Sequence, residues 1–340
     1  MSSPDAAAED TQPIKPCQKF EHTNWVLDVI HLPGGQRIMT CSYDGSLRVW
    51  NLQTGEQISY WEDGNVAVRA MASSADGKKV VSGSVVDGVV RLWSIEIGRV
   101  IAEWTGHTSG VESVCWNGDG ERVLSGSSDG TTRMWDVETG STVLEINTGL
   151  ASVYTAIFSP DSTLIATGGD SSKDERIKIW DANTGKSVSI LKGHTNTVWC
   201  LAWTANRSTL ISGSWDNTIR TWDTSTWRQL AVFTGHTRLV LGIAISPNGR
   251  ILASASYDKT AQLWNLENSQ PIGSPLQHPE DVRCVSFSTN GKLLATGCHN
   301  KNAYTWDVSA IIKEAGLTEL LVSCPFFHLS PSTEPTIPGR

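Results

Sequence analysis

The stretch GHTSGVESVCWNGDGERVLSGSSDGTTRMWD, residues 106–136, reads as three short strands joined by two tight turns. VESVCW and RVLSGS are apolar runs of strand length, and TRMWD alternates apolar and polar residues as a half-buried strand does. Between them stand NGDG and SSDGT, whose Asn, Asp and Gly are turn chemistry. Working outward from Trp135, the same phrase recurs along the chain as LRVWN, VRLWS, TRMWD, IKIWD, IRTWD, AQLWN and AYTWD. Its tryptophans are Trp50, Trp93, Trp135, Trp180, Trp222, Trp264 and Trp306, at intervals of 43, 42, 45, 42, 42 and 42 residues. A fourth, more variable strand follows each phrase, so the unit is a four-stranded antiparallel meander. One such unit cannot bury both its faces, and the seven must therefore stack on one another.

Composition sets the outer bounds. The chain has 340 residues, Lys plus Arg 27 against Asp plus Glu 35, a formal charge of -8 and 39% hydrophobic residues, enough apolar material for a large core. No apolar run approaches the ~20 residues of a membrane helix, so no membrane association is expected. MSSPDAAAEDTQP lacks the basic start and apolar core of a signal peptide, which makes cytosol or nucleus the expected compartment. The acidic balance, without clustered Lys and Arg, argues against nucleic acid as a partner. Cys17, Cys41, Cys115, Cys200, Cys284, Cys298 and Cys324 lie far apart with no CxxC pair, against both zinc and a disulfide framework. His31, His299 and His328 have no metal-like spacing, and no phosphate-binding, nucleophile-elbow or dinucleotide motif is present. The expectation is a chain with no cofactor, no metal and no catalytic site.

Gly-His near the start of each unit, Trp-Asp at its end and a period of 42 residues resemble the WD-repeat β-propeller family over residues 14–308. The resemblance implies an all-β fold: a seven-bladed β-propeller of four-stranded antiparallel blades. It also implies that PCQKF at 16–20, which precedes His22 as VIAEW precedes Gly106, supplies the outer strand of the last blade and so removes an open edge. Residues 1–13 then form a solvated leader, and 309–340 a tail whose SAIIKEAGLTELL suits a short amphipathic helix broken near Gly316. CPFFHLSPSTEPTIPGR beyond it reads as either a linear motif or a packing strap. The chain as a whole resembles stand-alone propellers of fungi.

Five repeats place a His and a Trp 28 residues apart, with a hydroxyl 18 after the His. The sets are His22, Thr40, Asp44 and Trp50; His107, Ser125, Asp129 and Trp135; His194, Ser212, Asp216 and Trp222; His236, Ser254, Asp258 and Trp264; and His278, Thr296 and Trp306, where Asn300 replaces the Asp. Repeats two and four carry Gly64 and Gly149 at the His position and lengthen the turn before Asp87 and Asp174, so their blades are expected to be looser. Ser, His and Asp at fixed spacing invite a catalytic reading, but an active site occurs once and this constellation recurs around the ring. The resemblance implies a structural chain instead, in which Asp orients His, His bonds the hydroxyl, and the hydroxyl bonds the indole.

In the resembling family the face carrying the Gly-His loops and Asp turns is the usual partner surface. The register positions three and five after the His and one before the turn Asp point there. They yield Trp25, Tyr43, Arg69, Tyr154, Trp199, Trp215, Leu239, Leu241, Tyr257 and Arg283 as candidate partner-binding residues. Of these, Trp199, Trp215, Leu239, Leu241, Tyr257, Trp25 and Tyr43 gather on blades five, six and one, and Trp and Tyr make good interface anchors. With Arg69 and Arg283 nearby, an extended peptide with one acidic group beside an apolar anchor fits. The expected function is a non-catalytic protein-interaction scaffold, monomeric when isolated, that binds other proteins or linear peptides. The alternatives are a substrate-recognition or regulatory subunit of a larger complex and a small-molecule or glycan binder in the central channel.

Overall fold

A computed structural model describes residues 14–62 and 66–322, so Gly64, Cys324, His328 and the calls on residues 1–13 and on the last 18 residues lie outside the described residues. Among the described residues the chain forms seven four-stranded antiparallel sheets, each a meander running from the ring axis outward. Blade three shows the plan, with strands Val111–Trp116, Arg122–Ser127, Thr131–Asp136 and Thr142–Asn147. Blade one spans 26–62, blade two 68–104, blade four 152–191, blade five 198–233 and blade six 240–277. Blade seven is built from Val282–Phe287, Leu293–Cys298 and Asn302–Asp307, and its fourth strand is Gln18–Glu21 from the other end of the chain. Lys19 pairs with Tyr304 and Phe20 with Ala303, so the ring closes by strand exchange between its ends.

Two repeated contacts weld each blade to the next. On the outside, a bulky residue of each fourth strand packs on the next blade's tryptophan: Phe20 on Trp50 at 5.3 Å between ring centres, Trp61 on Trp93 at 5.9 Å, Trp104 on Trp135 at 6.0 Å and Phe233 on Trp264 at 5.7 Å. Ile146, Leu191 and Leu276 share clusters with Trp180, Trp222 and Trp306 in the same way. Nearer the axis, the first strand of every blade carries at or next to its start a valine with no solvent exposure, namely Val26, Val68, Val111, Val153, Val198, Val240 and Val282. In five of the seven seams it abuts a Gly on the second strand of the preceding blade, as Val153 does at Gly126 and Val240 at Gly213, whereas blades one and six carry Cys41 and Ala255 at that position. The core is thus a ring of inter-blade seams rather than one central mass.

Past Trp306 the chain forms a helix over Val308–Glu314, capped by the Asp307 carboxylate, which accepts from the Ala310 N–H at 2.9 Å. Gly316 turns the chain at φ 72° into a short 3-10 turn over Thr318–Leu321. Ile311, Ile312 and Leu320 are buried among residues of blades six and seven. No helix among the described residues is long and apolar enough to cross a membrane.

Candidate functional site

The repeated polar sets come together between strands. In blade three, Asp129 Oδ2 lies 2.9 Å from His107 Nδ1, His107 Nε2 lies 2.8 Å from Ser125 Oγ, and the Trp135 indole N–H donates to that oxygen at 2.8 Å. A nitrogen facing a carboxylate carries the proton, so Nε2 accepts from the serine hydroxyl, which in turn accepts from the indole. Blades five and six repeat this with Asp216 to His194 at 2.7 Å and Asp258 to His236 at 2.8 Å. Burial pushes the Asp129 carboxyl up, but the Thr131 hydroxyl, the Thr108 and Thr131 backbone N–H groups and His107 outweigh it and hold it at about 2. His107 and His194 are pushed down by burial, only partly offset by their Asp partners, and stay neutral.

The other blades depart from this plan. In blade one Asp44 stands 3.7 Å from His22, and Ser46 bridges them, at 2.5 Å from Asp44 and 3.2 Å from His22. In blade seven His278 Nδ1 donates to the Leu276 carbonyl at 2.9 Å, which takes the role of the missing carboxylate, and Nε2 keeps Thr296 at 2.8 Å. Blades two and four have no imidazole there, yet Trp93 and Trp180 still donate to Ser82 and Thr167 at 2.9 Å each. Sequence reasoning missed those two hydroxyls, although they stand 18 residues after Gly64 and Gly149. In blade four the buried Lys178 ammonium reaches the space beside Gly149, donating to the Thr148 carbonyl at 2.9 Å and facing Glu175 at 3.5 Å.

A second constellation lies at the axis. In every blade the register between first and second strands slips immediately after the valine: between Val26 and Asp28, Val68 and Ala70, Val111 and Ser113, Val153 and Thr155, Val198 and Cys200, Val240 and Gly242, and Val282 and Cys284. The residue left unpaired by each bulge is Leu27, Arg69, Glu112, Tyr154, Trp199, Leu241 or Arg283. A bulge re-aims its side chain, and these seven line one cavity of about 310 Å³ on the ring axis. Tyr154 stacks on Trp199 at 4.3 Å, and Trp199 on Trp215 at 5.1 Å. From other blades the guanidinium of Arg69 comes to 4.9 Å and that of Arg283 to 5.7 Å from the Trp199 ring. Arg69 donates to Glu112 at 2.8 Å, whereas Arg283 makes no hydrogen bond or ion pair among the described residues. Burial, and after it the Arg69 charge, pulls the Arg283 guanidinium down to about 9.

Beside the mouth stands an exposed aromatic rim. Trp25 and Tyr43 are 44% and 47% exposed and lie 5.7 Å apart. Trp25 stacks on His299 at 4.6 Å, His299 faces Asp281 at 3.2 Å, and Tyr257 meets His299 edge-on at 6.4 Å with Arg238 over its other side. Among the described residues no group of three His, Cys, Asp or Glu could hold a metal ion. Burial pushes the Cys115 and Cys200 thiols up to about 12, so neither is a ready nucleophile.

The model of the WD domain, G-beta repeat, matches this chain seven times, at residues 14–51, 56–94, 98–136, 142–181, 185–223, 227–265 and 269–307. The chain belongs to the WD-repeat family. Propellers of this family generally mediate protein–protein interaction and are generally non-catalytic. A curated relative, "Periodic tryptophan protein 2" of Arabidopsis thaliana, is 39% identical over 57 residues, which is 17% of this chain and 6% of that protein. The chain therefore spans only a small part of that relative's length.

Within this WD propeller the candidate partner residues divide, and several expectations need correction. Leu241 is 5% exposed and faces the cavity, because the bulge turns it inward. Arg69 is not open to an acidic group, being held by Glu112. Tyr154, Trp199 and Trp215 are half-buried in a stack whose face the chain's own arginines cover, so they are not open apolar anchors. Leu239 and Tyr257 are also only partly exposed. The aromatic residues form two separate groups, one in the mouth from blades four and five and one on the rim from blades one, six and seven, rather than a single sector on blades five, six and one.

Proposed function

We propose that this propeller is a non-catalytic interaction scaffold, monomeric in isolation, that binds a partner protein or peptide on the face carrying the channel mouth. The observation that carries the reading is the pair Trp25 and Tyr43, two large aromatic side chains nearly half-exposed beside the mouth. Neither belongs to a polar set, and although Trp25 stacks on His299 of blade seven, both rings stay nearly half-exposed; aromatic residues of this kind bury much area on binding at small rotamer cost. Repetition of the His, Ser and Asp sets in register around the ring supports a structural role for them, and with it the absence of catalysis.

The test is capture from an extract of the cells that make the protein, with the wild-type chain beside a Trp25→Ala, Tyr43→Ala variant, read by mass spectrometry. The expected outcome is a partner held by the first and lost by the second at unchanged melting temperature. Identical retention by both would move the binding surface away from this rim.

A further inference from the structure

The mouth of the channel holds a guanidinium, that of Arg283, with no hydrogen-bond partner among the described residues. Of its bulge residues, Arg69 and Arg283 are cationic and Glu112 anionic, and Glu112 is committed to Arg69 and to the Ser128 hydroxyl, at 2.8 Å each. Asp28, the next residue along its strand, is spent on the backbone N–H groups of Val29 and Met71, at 2.8 and 2.9 Å. Asp281, two residues before Arg283, faces His299 instead. Arg283 thus lies over the face of Trp199 with Arg69, Glu112 and Asp281 near enough to act on its charge, yet none of them bonds it. Two more polar atoms of the same face, Trp215 Nε1 and His299 Nε2, are buried without a partner among the described residues. Buried polar groups of native folds are nearly always met, by protein, by water or by a ligand.

The aromatic stack might suggest a cage for a cationic ligand, but the chain's own guanidinium groups already lie over the Trp199 ring, where an incoming cation would meet two like charges. What the mouth offers instead is guanidinium N–H donors, which make charge-assisted bonds to an anionic group. Arg69 and Arg283 are matched in number by Glu112 and Asp28 in the cavity lining, but both carboxylates are bonded elsewhere, so the one guanidinium without a hydrogen-bond partner is that of Arg283, and one carboxylate would satisfy it.

We propose that the channel mouth receives a single carboxylate from an acidic partner segment, with Arg283 as its anchor, Arg69 beside it, and the Trp25 and Tyr43 rim holding the flanking residues. This rests on the reading of that face as the partner surface, and it adds what the partner must bring. A side-chain carboxylate and a free C-terminus share this chemistry.

A displayed library of random short peptides is selected on the wild-type chain and on Arg283→Gln and Arg283→Lys, with melting curves for all three. The expected result is enrichment of an Asp, a Glu or a free C-terminus on the wild type, kept on Arg283→Lys and lost on Arg283→Gln. Synthetic copies with the acid changed to its amide should bind the wild type about ten- to a hundredfold more weakly, the size of one charge-assisted bond; amidated termini separate the two sources. The amide copies keep the test sharp even if Arg283→Gln does not fold. Binders without an acidic group, or binders indifferent to the amide change, overturn the carboxylate site while leaving the partner face standing. Failure to select any binder overturns both.

Discussion

Val153, the second residue of blade four's inner strand, lies so close to Gly126 of blade three that a methyl group on Gly126 would stand 2.8 Å from Val153 Cγ1. The β-branched valine cannot turn aside, so the inter-blade distance is set by the missing side chain. Gly126→Ala is expected to lower stability by about 1–3 kcal/mol, the usual cost of overpacking a filled core. A urea denaturation midpoint unchanged from wild type would show that the seam has slack.

The polar sets are expected to be unequal. Asp129→Ala strands the His107 Nδ1 proton and the Thr108 and Thr131 N–H groups, at a cost of about 2–4 kcal/mol. Asn300→Asp, which restores the blade seven set on paper, should change stability by less than about 1 kcal/mol, because His278 Nδ1 is already bonded to the Leu276 carbonyl. Paired denaturation curves settle both, and a large gain from Asn300→Asp would contradict the assigned role of that carbonyl.

Acid should weaken the ring in two stages. His31 and His278 are each pushed down by burial to about 4, so as pH falls below 6.5 the unfolded chain takes up their protons while the folded chain refuses them. The loss runs from pH 6.5 to 4 and reaches roughly 3 kcal/mol per histidine. A second loss follows from 3.8 toward 2, as Asp129 and Asp258, held at about 2 in the folded state, are protonated first in the unfolded one. Stability against pH, compared between wild type and His278→Asn, should show a shallower first stage in the variant.

Closure should depend on Phe20. It is 1% exposed on the strand that completes blade seven, and its ring packs on Trp50 of blade one. Phe20→Ala is expected to cost about 3–5 kcal/mol, and a chain beginning at residue 25, without the strand and without His22, should melt far below the intact one. Calorimetry that found the shortened chain as stable as the whole would mean that the ring closes some other way.

Much of this was legible in the one-dimensional pattern. The tryptophan period counted the blades, and the offset of 18 from His to hydroxyl found five of the seven Trp partners, because both are distances along strands of fixed rise. The seven valines were equally visible, four residues after each His position, and mark the seam that the eye passes over because valine is common in any strand. Less legible were the local exchanges. Ser46 between Asp44 and His22, the Leu276 carbonyl under His278 and Lys178 beside Gly149 each restore a bond by a group outside the expected offset.

By itself the sequence determined seven stacked four-stranded units, which follow from local alternation, turn chemistry and a constant repeat, while the polar clamps and the closure by the first strand were what the family resemblance of those repeats implied. Only the tertiary structure decided what the face presents. A bulge is an event in the hydrogen-bond register between two strands and leaves no trace in side-chain alternation, yet it turns Trp199 and Leu241 from the surface to the axis. There Arg69 from blade two and Arg283 from blade seven reach across to the same indole of blade five. Residues far apart in the chain become one site because the ring brings its first strands together, and the setting of the Arg283 guanidinium belongs to none of the repeats alone.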